Sequence, residues 1–391
     1  MKRNLLVIAC FLIAATAFAE KAKLPKKSEV LAAMELANAH FTAAHPDAGA
    51  PTYVKKMRPS NLWTRGVYFE GLVALTDIER ATAAPAYDAN NRYLTDWATT
   101  HQWIPRNGVK TRDADDYCCS QAYLAMYLNH QTDTYQPTQQ CMDNLLATPE
   151  SRTDWTWIDA IQMGLPVLTK MSLIKSQEGD AQFSRYAEWG WKMYDYTRSE
   201  LAGGLFNRKE GLWWRDKDFC PPYAEPNGRN CYWSRGNGWV YAALVRAMQD
   251  IINTPSYDAH LADYKSDFLL MSEALIKCQR KDRFWNVSLH DESDFGGKEL
   301  TGTALFVYGM AWGVRNGMLP EKTYLPVAIN TWNALVKDCL HADGKLGWVQ
   351  GTGKQPKDSQ PVTYDSEPDF DDFGLGCFLL AGSEIYQLAK P

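Results

Sequence analysis

The sequence holds no Cys-x-x-Cys and no His-x-x-x-His spacing, and its seven histidines are scattered, so the usual signatures of a zinc site are missing. It also holds no basic surplus. With 41 Lys and Arg against 46 Asp and Glu, the formal net charge is -5, which argues against nucleic acid as the main partner. Beyond the N-terminus no stretch approaches ~18 uninterrupted apolar residues, so no membrane-spanning segment is expected. No linker rich in Pro, Gly or Ser divides the chain. What is present is a globular composition: 391 residues, 46% hydrophobic and only 22% charged, enough to build a large core. Fifteen Trp and 20 Tyr stand out, and such rings suit both core packing and stacking on sugar faces.

Lys2 and Arg3 precede an apolar run from Leu5 to Phe18, and Ala17-Phe18-Ala19 supplies a small-residue cleavage pattern. Residues 1–19 are therefore expected to be a secretory signal cleaved after Ala19, leaving residues 20–391 as one domain exported to a bacterial periplasm. Val7-Ile8-Ala9-Cys10 loosely resembles a lipoprotein signal, so lipid anchoring at Cys10 is the alternative. Export permits disulfides. Cys118, Cys119, Cys278, Cys339 and Cys377 read as buried thiols in helical runs, whereas Cys220 and Cys231 flank the loop Pro221 to Asn230 and are candidates for a disulfide or two reduced thiols.

Apolar residues recur at helical spacing over 27–44, 62–81, 85–101, 113–129, 135–148, 157–172, 180–198, 234–253, 257–278, 299–316, 321–338 and 370–389, which predicts twelve helices. Strand signals are confined to short connections such as Gly211 to Trp214 and Lys345 to Gln350. Even-numbered segments carry small residues on several faces, for example Gly302, Thr303, Ala304, Gly309 and Gly313 in the tenth; odd-numbered ones alternate apolar with charged residues. Helices packed on both sides alternate with helices that have one wet face, so the pattern predicts an all-α fold, an (α/α)6 barrel of six hairpins.

Polar motifs fall near the start of each inner segment. They include Trp63-Thr64-Arg65-Gly66, Asp113-Ala114-Asp115-Asp116, Trp155 to Asp159, Trp233 to Trp239 and Asp369 to Gly374. If the inner helices are parallel, these starts converge on one mouth, where their N-termini favour an anionic ligand. Asp159 in a first turn reads either as a cap or, among Trp155, Trp157, Ile158 and Met163, as a general acid. Asp115 and Asp116 project ~100° apart on a helix, so one caps and the other faces the lumen. Asp116 is the residue assigned to the lumen, because Ser120 and Tyr123 follow it at i+4 and i+7. The segment Arg235-Gly236-Asn237-Gly238-Trp239 reads either as a Gly-rich helix entry with Arg235 paired to an acid, or as an Arg fork for a carboxylate with Trp239 as stacking platform.

At these residues the chain resembles glycoside hydrolase family 105, the unsaturated rhamnogalacturonyl hydrolases, and more distantly the unsaturated glucuronyl hydrolases. The features are Trp157-Ile158-Asp159 with Met163 and Pro166; Arg235 to Trp239; Gly302-Thr303-Ala304 leading to Tyr308; and Asp372-Phe373-Gly374 leading to Leu379 to Glu384. The resemblance runs from about residue 30 to the end. It implies an (α/α)6 barrel that removes a 4,5-unsaturated uronic acid, of galacturonyl type, from lyase-generated oligosaccharides. Asp159 would protonate C4 of the enol ether and help water add at C5, one of Asp115 and Asp116 would assist, and Arg235 and Trp239 would bind substrate. Asn237, Trp157 and Trp63 belong to the same candidate binding set. No metal or organic cofactor is implied. Two departures bear on substrate: Arg215 stands where many members carry His, and Arg152-Thr153-Asp154 lacks the Lys or His of some relatives. Arg215 is thus a further carboxylate-binding candidate, and an unsaturated glucuronyl end is the alternative substrate. A sugar epimerase would need lumen histidines that no inner-helix start supplies; a non-catalytic secreted carbohydrate-binding protein is the alternative of another class.

Overall fold

Helices form where the apolar period is helical, and the alternation of their small-residue faces decides which of them pack on both sides. The computed structural model describes residues 22–54 and 56–391. The expected leader, its cleavage point after Ala19 and Cys10 lie outside the described residues. The chain runs through α1 (Lys27–Ala44), β1 (Thr52–Val54), β2 (Lys56–Arg58), α2 (Trp63–Thr82), α3 (Tyr87–Thr100), α4 (Ala114–Tyr117), α5 (Ser120–Leu128), α6 (Gln136–Leu146), α7 (Asp159–Gln177) and α8 (Arg185–Asp195). It continues through β3 (Phe206–Asn207), β4 (Leu212–Trp213), α9 (Ser234–Ile252), α10 (Leu261–Cys278), α11 (Leu300–Arg315), α12 (Glu321–Cys339) and α13 (Asp372–Leu388).

Six helical positions close a ring. α2 packs on α5, α4 and α5 on α7, α7 on α9, α9 on α11, α11 on α13, and α13 returns to α2. Outside them, α1 lies on α13, α3 on α2, α6 on α5 through Thr138 Oγ1 donating to Ser120 Oγ (3.0 Å), α8 on α7, α10 on α9 and α12 on α11, which is the (α/α)6 barrel. Burial follows the division: α9 is buried over most of its length, whereas α3 buries only Leu94, Trp97 and Ala98. Glycine allows the closest inner contacts. A Cβ on Gly376 of α13 would run into the Val67 carbonyl of α2, and one on Gly302 of α11 into Ser234 of α9. Overpacking of that kind costs typically ~1–3 kcal/mol.

The expected fourth helix is two pieces, α4 and α5, joined by a tight turn in which Gln121 N–H donates to the Cys118 carbonyl (3.0 Å). The Gly211 to Trp214 signal is a short strand, β4, paired antiparallel with β3. Lys345 to Gln350 is not a strand; only Leu346 makes a bridge, to Leu340. The hairpin β1–β2, with Thr52 opposite Arg58, escapes the sequence pattern because three-residue strands carry no readable alternation. Most tryptophans serve the core: Trp97, Trp155, Trp213, Trp233, Trp239, Trp285, Trp312 and Trp332 are almost wholly buried.

The candidate disulfide is absent. Cys220 and Cys231 are separate thiols; Cys220 Sγ faces the Asp216 carbonyl (3.8 Å) and Cys231 is buried against Glu225. The loop between them is tied instead by Glu225 N–H to the Arg229 carbonyl (2.8 Å) and by Asn227 N–H to Asp291 Oδ2 (3.1 Å).

Candidate active site

The starts of α2, α4, α7 and α9, with the loops before them, enclose a cavity of about 440 Å³ at one mouth of the barrel. Trp63, Asp115, Trp157, Asp159, Arg215 and Arg235 line it, six of the nine residues singled out from sequence.

Asp159 opens α7 and is 8% exposed. Its Oδ2 accepts from Arg215 Nε (2.9 Å), and Arg215 Nη1 donates to Asp216 Oδ2 (2.8 Å). The strap carrying Arg215 is fixed beside α7, since Ile158 N–H donates to the Arg215 carbonyl (3.0 Å) and Trp157 bridges to Asp216. Burial alone would lower the Arg215 pKa, but Asp159 and Asp216 outweigh it and raise it.

Asp115 and Asp116 separate in the direction opposite to that expected. Asp113 caps α4 by accepting from Asp115 N–H (3.0 Å), and Asp115 turns into the cavity. Asp116 turns away and is buried, accepting from Arg106 Nη1 (2.7 Å), Asn107 Nδ2 (2.9 Å) and Thr111 Oγ1 (2.6 Å), so it holds the loop before α4. Burial, then the neighbouring Asp113 and Asp159, push the Asp115 carboxyl up to about 7 against the pull of Arg215.

In α9 the i+4 spacing takes Trp239 one turn below Arg235, where it is fully buried. It backs Trp63, whose ring meets it edge-on at 6.3 Å, and it offers no face to the cavity. Asn237 is also removed from the cavity: its Oδ1 accepts from Trp213 N–H (2.8 Å) and its Nδ2 donates to the Trp213 (3.1 Å) and Trp233 (3.0 Å) carbonyls, which docks β4 on α9. Arg235 does line the cavity, but it is paired with no acid. Its Nη1 and Nη2 donate to the Gln350 (2.6 Å) and Gly351 (2.7 Å) carbonyls, its Nε has no partner, and its guanidinium lies 4.5 Å from the Trp233 ring. Burial lowers its pKa.

Lys56, Arg58, Arg106 and Thr352, none of them a candidate from sequence, line the same cavity, as does Trp233 at the head of the Trp233 to Trp239 motif. The available signal was the run Lys55-Lys56-Met57-Arg58 just before the Trp63 motif. With them the lining holds five cations, Lys56, Arg58, Arg106, Arg215 and Arg235, against the carboxyls of Asp115 and Asp159, a balance suited to an anionic ligand. Among the described residues no group of three or more His, Cys, Asp or Glu is arranged to hold a metal ion, and no helix is long and apolar enough to cross a membrane.

A family model described as Glycosyl Hydrolase Family 88 matches residues 34–389. An unsaturated 3S-rhamnoglycuronyl hydrolase of Formosa agariphila is 30% identical over 348 residues, covering 84% of this chain and 85% of that protein. Among solved structures, a glycosyl hydrolase family 88 protein from Bacteroides vulgatus shares the fold with a TM-score of 0.78 and 27% identity, over 93% of this chain and 99% of its own. A possible member of the GH105 family from Salmonella enterica reaches a TM-score of 0.69 at 17% identity, over 93% of this chain and 94% of its own, a likeness of fold.

Proposed function

The chain belongs to Glycosyl Hydrolase Family 88 and is a glycoside hydrolase, and from that membership we propose that it removes a 4,5-unsaturated uronic acid from the non-reducing end of lyase-generated oligosaccharides. The observation that carries this is the pair of carboxyls, Asp159 and Asp115, in a cavity whose other charged groups are all cations. Glucuronic and galacturonic acids differ only in the configuration at C4, and elimination makes that carbon trigonal. The two acids thus give the same reacting ring, and the galacturonyl and glucuronyl alternatives separate only in linkage and leaving sugar. The Formosa relative's name, rhamnoglycuronyl hydrolase, names a rhamnose with a uronic acid, and glycuronyl covers both sources.

The reaction starts with proton transfer. Asp159 protonates C4, the C4=C5 electron pair forms the new C–H bond, and positive charge spreads over C5 and the ring oxygen. Water adds at C5 and loses its proton to the Asp159 carboxylate. The C5 hemiketal opens to a ketone, the ring oxygen becomes a hydroxyl on C1, and that hemiacetal collapses to an aldehyde as the next sugar departs with the glycosidic oxygen. Ordinary glycoside cleavage needs instead an acid and a nucleophile or base flanking the glycosidic bond. Arg215 occupies Oδ2 of Asp159 and leaves Oδ1 for the proton. Asp115, which keeps its proton to about 7, adds no second negative charge beside Asp159 below that pH. Arg235 and Arg215 face the uronate carboxylate, and the half-buried Trp63 and Trp157 face the ring. One catalytic barrel from residue 20, exported to the periplasm, meets lyase products there.

Asp159→Asn tests the assignment. A positioned acid contributes ~100 to 10,000-fold, so loss of the substrate's ultraviolet absorbance should slow by at least that lower factor in a variant that melts like the parent. A carbohydrate-binding protein without activity would show no turnover in the parent either.

A further inference from the structure

Of the five cations in the cavity lining, three have protein partners. Arg106 is paired with Asp116, Arg215 with Asp159 and Asp216, and Arg235 donates to two backbone carbonyls. The Lys56 and Arg58 side chains have no hydrogen-bonded or ion-paired partner among the described residues. Arg58 lies over the Phe370 ring at 4.1 Å, and its Nε is buried without a hydrogen-bond partner. Of the three acids whose charge acts on Arg58, Asp115 lines the same cavity and the other two are already engaged. Asp369 accepts from Thr352 N–H (2.7 Å) and from the Thr352 hydroxyl, and Asp372 accepts from Arg65 Nε (3.3 Å). Both cations sit on β2, which reaches the cavity from outside the ring of inner helices, beside the exposed Met57.

One uronate needs one carboxylate receptor, and Arg215 on the strap after β4 and Arg235 at the start of α9 stand beside Asp159 for it. Lys56 and Arg58 are therefore in excess of what the reacting ring requires. We propose that the β1–β2 hairpin is a specificity element in which Arg58, aided by Lys56, binds a second anionic group carried by the leaving sugar. This rests on the assignment of the reacting ring to the carboxyls at the starts of α4 and α7. A sulfate ester and a second carboxylate share the chemistry that a guanidinium fork and an ammonium recognise, two or three oxygens with delocalised negative charge. Met57, 60% exposed at the same edge, offers an apolar surface to that sugar.

The test compares kcat/KM on three unsaturated disaccharides whose leaving sugar is sulfated, carboxylated or neutral. The parent should favour one anionic form over the neutral one by on the order of tenfold or more, and the form favoured identifies the group. In Arg58→Ala that ratio should fall close to one, Lys56→Ala should lower it partway, and Arg58→Lys should keep part of it. A parent without preference, or an Arg58→Ala ratio unchanged because all three substrates slow together, overturns the proposal. If the parent turns over none of the three, the assignment of the reaction fails on its own. Calorimetry of sulfated, carboxylated and neutral oligosaccharides then decides the hairpin's role: Arg58→Ala must lose affinity for an anionic form while keeping that for the neutral one, and equal affinities in parent and variant for all three overturn it.

Discussion

Substituting Asp115 and Asp116 one at a time separates chemistry from support, because the two side chains leave α4 in different directions. The folded chain keeps a proton on Asp115 to about 7 against an ordinary value of 3.8, so between those values it binds more protons than the unfolded chain. That contribution to stability is fully present below the ordinary value and is lost as pH rises through about 7. Asp115→Asn should therefore raise the melting temperature relative to the parent above about pH 7 and change it less in acid. In activity the same group acts on the alkaline side. As pH rises through about 7 Asp115 becomes an anion beside Asp159 and the substrate's carboxylate, so kcat/KM should fall, and Asp115→Asn should lose that limb. Asp116→Ala should instead cost roughly 3 kcal/mol of stability, since it leaves the Arg106 guanidinium without its buried partner. Thermal melts and pH profiles of both variants check this. The sequence placed a carboxyl here but not which one: adjacent positions on a four-residue helix are told apart only by what the preceding loop offers, and Arg106, Asn107 and Thr111 all point at Asp116.

At the scale of elements, the ring was legible because inner and outer helices need different faces, and that difference is written in small residues such as Gly302 and Gly376. The convergence of the helix starts was legible for the same reason, and it brought Asp159, Arg235 and Trp63 to one mouth. Side-chain direction within the Arg235 to Trp239 segment was not. Asn237 and Trp239 follow Arg235 by two and four positions and point into the barrel wall, where β4 and Trp63 receive them. The structure gives Asn237 a testable role: Asn237→Ala leaves the Trp213 N–H and carbonyl without partners, which costs about 1–3 kcal/mol. Because β4 leads directly into Arg215, KM should rise in this variant more than kcat falls. The hairpin β1–β2 was the element least accessible to pattern, since its meaning lies in which cations remain unpaired after folding.

The whole molecule carries a net charge of -5, yet its mouth gathers five cations around two carboxyls, so the charge that matters to the substrate is local. Family membership makes the chain a glycoside hydrolase, and the ring of inner helices supplies a concave site of about 440 Å³ at their N-terminal ends. What distinguishes the proposed reaction from other glycoside cleavage is the carbon that takes the water. The direct measurement follows the ultraviolet absorbance of an unsaturated disaccharide analogue in which a methylene group replaces the glycosidic oxygen, so that no sugar can depart. Hydration at C5 predicts that the enzyme still removes the absorbance of this analogue, because the double bond reacts before the glycosidic link; an absorbance left unchanged by enzyme that cleaves the oxygen-linked disaccharide would contradict it.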